Sequence, residues 1–438
     1  MYRFVVLVLA LWLSGCASHS DHTKAIRSAL DAGQPGQALG LVNEQLEVDN
    51  EKELPEKTGG KNALFLLDRA MILQELDRTE LSSRDLEIAD KEIDLLDLSH
   101  NTGHDLAKYL FSDDAGPYRA PPYEKLLINT MNMLNYLVRG DLNGARIEAR
   151  RLSVMQSYLA SNPDLGRSLI GPGSYLAGFT FEKSGKADEA LLHYDEALSS
   201  AEFPSLAEPV KRLIDAGGRR SPRLEAVAGK APATPTPGDA ELLVVINYGR
   251  VPAKIAKRVP IGLALTYASG AISPGDRDRA NYLAAQGLVT WVNYPELGKS
   301  RGSYETPGFA LNGSWAQLEG ALAVDVEAKN SWERAKGAIV ASAITRMLTR
   351  VVAGEATRKA EGGVVGALLS LGVQATLTAT DTPDTRSWAT LPARIALGRV
   401  RLPAGTYDVE LVARGVKKKQ RVVLKPGGWS VLSHTVLF

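Results

Sequence analysis

The sequence predicts an α+β multidomain protein, in which an N-terminal region of paired helices precedes a β-rich, sandwich-like domain with an inserted helix pair. Three observations lead to this prediction. The stretch 118–159 has the spacing of a helical hairpin, four segments of the first half share one arrangement of turn and small residues, and the second half is made of short alternating runs. Apolar residues at helical spacing and apolar residues at every second position distinguish the two halves.

The hairpin in 118–159 opens with a Pro-Pro pair and continues with apolar residues at three- and four-residue steps, as one face of a helix requires. These residues are Leu126, Leu127, Met131, Leu134 and Leu137. Gly140 ends this helix, and a second helix follows with Arg146 and Arg150 outward, one turn apart. One helix pair cannot bury its core face alone, so neighbouring pairs are expected.

Four segments place a turn residue five positions before a small residue. They are Gly33 to Ala38, Asp77 to Ser82, Gly140 to Ala145 and Gly185 to Ala190. In the fourth segment, Gly178-x-x-Phe181-x-x-x-Gly185 and then Ala190-x-x-x-Tyr194 resemble the tetratricopeptide (TPR) repeat. The resemblance implies a TPR-like α-solenoid over residues 25–216, with a concave face of the kind that binds peptides or protein segments. A plain helical bundle is the alternative.

A Pro/Gly-rich stretch, 217–238, is predicted to link this region to a β-rich domain over 239–438. Eight runs are predicted as strands because they are apolar throughout or alternate with polar residues. They are Glu241 to Asn247, Lys254 to Leu265, Gly287 to Asn293, Leu318 to Val326, Arg394 to Leu402, Thr406 to Ala413, Gln420 to Lys425 and Ser430 to Phe438. Turns of the Leu402-Pro-Ala-Gly type resemble those of small β-sandwich repeats in envelope proteins.

Two helices are predicted near 331–377, in Ser331 to Lys359 and in the apolar run Gly363 to Leu377. They could form a hairpin that inserts into a membrane or a pair that packs on the sheet. A membrane span requires about 20 apolar residues, so the shorter second run favours packing.

Cys16 is the single cysteine of the chain and excludes an intramolecular disulfide. Residues 1–15 read as a signal peptide, with Arg3 ahead of an apolar core too short to span a bilayer. Leu13-Ser14-Gly15-Cys16 resembles the bacterial lipobox, which implies acylation of Cys16 and a lipidated tether over 16–24. Ala17 after the cysteine resembles lipoproteins sorted to the outer membrane, so the mature chain is expected to face the periplasm, anchored by its acyl chains.

No catalytic, cofactor-binding or metal-binding constellation emerges from the sequence. The chain has 51 Lys+Arg against 50 Asp+Glu, a balance that offers no electrostatic basis for binding nucleic acid. His100 and His104 have metal-pair spacing, but Gly103 interrupts the helix that would align them. Gly298-Lys299-Ser300 lacks the first glycine of a phosphate-binding loop. The sequence therefore predicts no enzyme and no cofactor.

Several longer motifs resemble a family of bacterial outer-membrane lipoproteins with N-terminal tetratricopeptide-like repeats. They are the lipobox, GPYRAPPYEK, LNYLVRGDLNGARIEARR, LLVVINYGRVPAKIAKRVPI and DTRSWATLPARI. The resemblance covers nearly the whole mature chain. It implies an architecture and a location, and it brings no catalytic residue.

The function expected from these features is that of a lipid-anchored adaptor, which binds an envelope protein in a TPR-like groove. The candidate partner-binding residues are Tyr118, Arg119, Tyr123, Arg146 and Arg150, since tyrosine and arginine carry much of the binding energy at interfaces. One alternative is a protein that binds cell-wall peptidoglycan or another glycan with its β-rich domain. An enzyme of unknown type is the third hypothesis.

Overall fold

The computed structural model describes residues 18–93, 118, 120–160, 167–233, 238–286, 291–299, 304–361 and 383–438. Several sequence predictions lie outside these residues. They are the signal peptide, Cys16, the loop with His100 and His104, Arg119 and the apolar run Gly363 to Leu377.

The first half of the described chain is helical, and its larger helices form consecutive pairs. The helices are His19–His22 (α1), Lys24–Asp31 (α2), Pro35–Leu46 (α3), Lys61–Glu75 (α4), Thr79–Glu92 (α5), Pro122–Val138 (α6), Leu142–Ala160 (α7), Gly171–Lys183 (α8), Ala187–Leu198 (α9), Ala207–Asp215 (α10) and Pro222–Ala228 (α11). Short 3₁₀ turns occupy Arg167–Ile170 and Pro204–Leu206. The predicted pairs are α2 with α3, α4 with α5, α6 with α7, and α8 with α9, and each pair is in contact.

The turn that joins each pair has the same geometry. Its turn residue has a positive φ, in Gly33 (68°), Asp77 (60°), Gly140 (73°) and Gly185 (72°). The next residue donates its N–H to the carbonyl of the residue five positions before it, which satisfies a carbonyl that the helix end leaves free. The small residues Ala38, Ser82, Ala145 and Ala190 are fully buried. The predicted helix pairs are confirmed.

The second half is rich in strands. They are Ala240–Tyr248 (β1), Lys254–Pro260 (β2), Trp291–Leu297 (β3), Gly308–Leu311 (β4), Ser314–Gln317 (β5), Glu319–Ala323 (β6), Arg394–Leu402 (β7), Gly405–Ala413 (β8), Val416–Leu424 (β9) and Trp429–Val436 (β10). The first sheet has the order β10-β1-β7-β6, and the second has the order β5-β4-β8-β9. Strands β2 and β3 form an antiparallel ribbon. In the first sheet, β10 pairs in parallel with β1, and β7 pairs with β1 in antiparallel fashion.

The first sheet is covered on both faces. Leu243, Val245 and Leu397 on one face belong to the same hydrophobic core as the helices. Leu242 and Val244 on the other face share a core with Phe309, Val409 and Leu411 of the second sheet. The unbroken apolar run of β1 follows from this position, because both of its faces are buried.

The helical region and the first sheet share one hydrophobic core across the predicted link 217–238. The helices bury their apolar surface partly against the first sheet, so neither half completes its core alone. Part of the expected linker is also structured, because α11 buries Leu224 and Val227. Its Arg223 pairs with Asp195 at 2.6 Å rather than extending freely.

Four strand predictions need correction in their bounds, and one hairpin was missed. Strand β9 begins at Val416, four residues before the predicted start at Gln420. The chain turns helical at Ile261–Tyr267 (α12) and at Val324–Glu361 (α14), where strands were predicted to continue. Strand β3 includes Trp291–Leu297, later than predicted. The sequence analysis did not predict helix Pro274–Ala285 (α13) or the β4–β5 hairpin. The hairpin was missed because β4 and β5 have four residues each, too few to establish an alternation.

The β2–β3 ribbon and helices α12, α13 and α14 enclose a third core. Trp332, Ile339 and Ile344 of α14 pack there with Val292 and Tyr294 of β3. The described part of the predicted helix pair therefore packs on strands, in agreement with the favoured alternative.

Candidate functional site

The structure separates the predicted partner-binding residues into two places. Tyr118 and Tyr123 are buried. Arg146 is half-buried and Arg150 is exposed, both on α7. A buried ring is not presented to a partner, so of the candidates in the described chain only the two arginines lie on an accessible surface.

Tyr118 lies instead in a buried polar cluster where the helices meet the β-rich region. Its hydroxyl donates a hydrogen bond to Glu124 Oε2 at 2.6 Å. The backbone N–H of Trp388 donates to Glu124 Oε1 at 3.2 Å. Burial raises the pKa of the Glu124 carboxyl, and the charge of Lys254 opposes this rise. Burial also lowers the pKa of the Lys254 amine, so the site disfavours the charged forms of both groups.

An ion pair between Asp384 and Arg386 completes this cluster. The guanidinium donates to both carboxylate oxygens, with both N–O distances at 2.9 Å. Its central carbon lies 5.7 Å from the centre of the Tyr118 ring, within cation–π range. We call Tyr118, Glu124, Lys254, Asp384 and Arg386 the junction cluster.

The segment 383–391 is irregular yet buried along its whole length. Buried backbone without regular structure must find other hydrogen-bond partners, and the helices supply them. The Trp388 indole donates to the Leu67 carbonyl at 3.2 Å. The Thr390 N–H and hydroxyl both donate to Asp68 Oδ1 at 2.9 Å. The segment is thereby tied to helix α4.

The junction cluster unites three motifs that are far apart in the chain. Tyr118 and Glu124 come from GPYRAPPYEK, Lys254 from LLVVINYGRVPAKIAKRVPI, and Asp384 with Arg386 from DTRSWATLPARI. The three motifs were recognisable in the sequence, but Glu124, Lys254, Asp384 and Arg386 were not predicted as site residues. Charged residues within otherwise apolar stretches were the one sequence feature that pointed to buried polar contacts. That feature does not show which charged residues contact each other.

Perturbed pKa values occur at catalytic sites and also in structural ion-pair networks. Every member of the junction cluster is buried, and its hydrogen bonds join the helical region to the segment 383–391. We therefore interpret the junction cluster as a structural contact that holds the segment 383–391 against the helical region. In the described ranges, no group of three or more His, Cys, Asp or Glu side chains could hold a metal ion.

The accessible candidate surface is the outer side of α7, where apolar and cationic side chains alternate. Ile147 is 51% exposed and Val154 is 70% exposed. Ile147 and Val154 are seven positions apart, so they lie on one face of α7, with Arg150 between them and Arg146 at the edge of that face. We call Arg146, Ile147, Arg150 and Val154 the α7 stripe.

Two contacts keep carboxylates away from this stripe. Glu148 is buried, and its Oε2 accepts a hydrogen bond from Asn129 Nδ2 at 2.9 Å, while its Oε1 pairs with Arg151 at 2.8 Å. Arg146 bonds to the amide oxygen of Asn143. Arg150 has no acidic partner among the residues that the structure describes. The stripe therefore presents cationic charge beside exposed apolar side chains.

Searches against protein-family models, curated proteins and solved structures found no match for this chain. None of the helices in the described ranges has the length and apolar character of a membrane span.

Proposed function

We propose that the protein is a non-enzymatic adaptor, lipid-anchored at the outer membrane through Cys16 and facing the periplasm, which binds an envelope protein. In this proposal the helix pairs form a TPR-like solenoid and the β-rich domain is a sandwich. The observation that carries the adaptor role is the α7 stripe, since exposed apolar side chains flanked by unneutralised arginines are typical of an interaction surface.

The partner that fits the stripe is a protein segment carrying carboxylates next to apolar side chains. Ile147 and Val154 stand about two helical turns apart, a spacing that matches the apolar positions of an amphipathic helix. Carboxylates on the partner would pair with Arg146 and Arg150, and charge-assisted hydrogen bonds are the stronger class of polar contact. A purely cationic or purely apolar segment would leave one half of the stripe without a complement.

Crosslinking in intact cells followed by purification tests this proposal. Arg146→Glu with Arg150→Glu should leave helicity and melting temperature nearly unchanged, because neither side chain is buried, while reducing capture of the partner by about tenfold or more. Arg279→Glu with Arg334→Glu is the matched control, since both arginines are exposed on other helices, α13 and α14. Equal capture by the α7 variant and wild type would contradict the proposal.

The anchor is tested separately. Cys16→Ser should accumulate as a longer precursor without fatty acid, since the thiol that is acylated is gone. Mass spectrometry of the wild-type protein should find acyl chains on an N-terminal Cys16. A wild-type protein that lacks fatty acid would remove the anchor from the proposal and leave the α7 surface to be judged alone.

Glycan binding by the β-rich domain is a second candidate function. It is favoured by a cavity beside the exposed indole of Trp315.

A further inference from the structure

The β4–β5 hairpin holds an exposed tryptophan in a fixed orientation. Asn312 and Gly313 both have positive φ, 47° and 89°, as a tight two-residue hairpin turn requires. The turn fixes the register in which Trp315 pairs with Ala310. A Cβ added to Gly308 would lie 3.6 Å from Trp315 Cε3. The indole thus rests against a strand position without a side chain, and 59% of Trp315 remains exposed.

Trp315 borders a cavity of about 310 Å³ at one end of the second sheet. This volume is near the lower end of the range for small-molecule sites. Three walls surround the cavity, namely 305–308, 315–317 and 412–415. The polar side chains among them are Glu305, Thr306, Gln317 and Arg414.

The backbone of Arg414 has a strained conformation beside this cavity. Its φ is 49° at the β8–β9 turn, a left-handed value that favours glycine or asparagine over arginine. Its guanidinium carbon lies 5.0 Å from the centre of the Tyr304 ring and 5.3 Å from that of Phe438. Its Nε is buried and has no hydrogen-bond partner in the described parts of the chain. The guanidinium thus packs on two rings that do not line the cavity, and its Nε is shielded from solvent.

The lining combines the features that a sugar ring requires. A pyranose has an apolar face that can lie on an indole, and hydroxyls that both donate and accept hydrogen bonds. Glu305 accepts hydrogen bonds, and Thr306 and Gln317 both donate and accept them. Glu305 and Arg414 also balance in charge, so the cavity carries no cationic excess that would select a phosphate group.

We propose that this cavity binds a sugar ring of an oligosaccharide, with the indole of Trp315 as the stacking platform and Glu305, Thr306 and Gln317 as its polar contacts. This site lies on the second sheet and its residues are separate from the α7 stripe, so the inference does not depend on the adaptor proposal.

Calorimetric titration of the full chain with chitotetraose and cellotetraose, together with pull-down on isolated peptidoglycan, tests the site. Trp315→Ala should weaken binding of the preferred oligosaccharide by about tenfold or more. Trp291→Ala is the matched control, because Trp291 is 42% exposed on β3 of the separate ribbon. The two soluble oligosaccharides and the peptidoglycan distinguish the source of the sugar.

Glu305→Gln provides a second variant in case Trp315→Ala fails to fold, since Glu305 is exposed and the substitution removes its negative charge and replaces one acceptor oxygen with an N–H donor group. It should weaken binding several-fold. The proposal is overturned if folded Trp315→Ala or Glu305→Gln binds as tightly as wild type, or if wild type binds none of the three probes. The α7 double variant should bind sugar normally, which keeps the two proposals distinguishable.

Discussion

Two buried ionic clusters join the helices to the β-rich region, and the net pKa shifts of their carboxyls have opposite signs. In the junction cluster and at Asp68, burial raises the carboxyl pKa, to about 7 for Asp68. At the second cluster, around Arg399, the pKa values of Glu182 and Glu241 are lowered.

The difference lies in the number of cations that each carboxylate meets. Burial alone would raise the pKa of Glu182 and Glu241. The charge of Arg399 overcomes the effect of burial, and its Nη2 lies 2.7 Å from Glu182 Oε1. The charges of Lys183 and Arg212 lower the carboxyl pKa values further. The Asp68 carboxylate, in contrast, accepts hydrogen bonds from Thr390 alone among the described residues, and its Oδ2 has no partner there. Burial thus raises the pKa of all of these carboxyls, and the local cations decide the sign of the net shift.

Separating the two halves should have the largest effect, because it breaks both clusters and the shared core together. Expressed alone, 18–233 and 238–438 should each lose cooperative unfolding, since Leu243, Val245 and Leu397 would face water instead of the helices. Circular dichroism during urea titration measures this, and coexpression of both pieces is the control. Cooperative unfolding of each isolated piece would restore the two-domain interpretation.

Arg399→Ala should cost about 3 kcal/mol of the free energy of unfolding, because it leaves two buried carboxylates short of a cation. Urea denaturation at pH 7 gives the value. Arg421→Ala is the control, since Arg421 pairs with Asp408 on an exposed hairpin. Adding Glu182→Gln should recover part of the loss, and no recovery would indicate that Arg399 acts mainly through packing on Phe179.

Asp68→Asn should change how stability depends on pH. A carboxyl whose pKa is raised from 3.8 to about 7 on folding stabilises the protein below pH 4 and loses that contribution as pH rises toward 7. The variant should lack this loss. Its free energy of unfolding relative to wild type should therefore rise between pH 4 and pH 7, by up to about 4 kcal/mol.

Urea midpoints at several pH values test this prediction. His19 and His434, with pKa lowered to about 4 by burial, contribute with the opposite sign, but they cancel in the difference between variant and wild type. Parallel pH profiles for the two proteins would show that Asp68 keeps an ordinary pKa.

Asp408→Asn should have the smallest effect. Asp408 and Arg421 pair at 2.9 Å with 69% and 71% of their side chains exposed. Solvent and salt screen such a pair, so the urea midpoint should stay within error at low and high salt. A clear loss of stability would mean that ionic contacts need not be buried to matter in this fold.

The sequence by itself determined the local structure of the helix pairs. The turn residues Gly33, Asp77, Gly140 and Gly185 mark helix ends because a left-handed residue there lets the chain bond to the last free carbonyls. The apolar run in β1 likewise predicted a buried strand. These features depend on neighbours a few residues apart, so the sequence alone could reveal them.

The tertiary structure alone decided which distant residues meet. Tyr118 resembled a surface anchor in sequence, yet Glu124 and Arg386, the latter 268 positions away, enclose it. The parallel pairing of β10 with β1 and the burial of 383–391 have no local signal either. Arg150 and Arg399 look alike in the sequence, but one is exposed on α7 and the other is buried among carboxylates, because burial is set by whatever packs against a side chain from elsewhere in the chain.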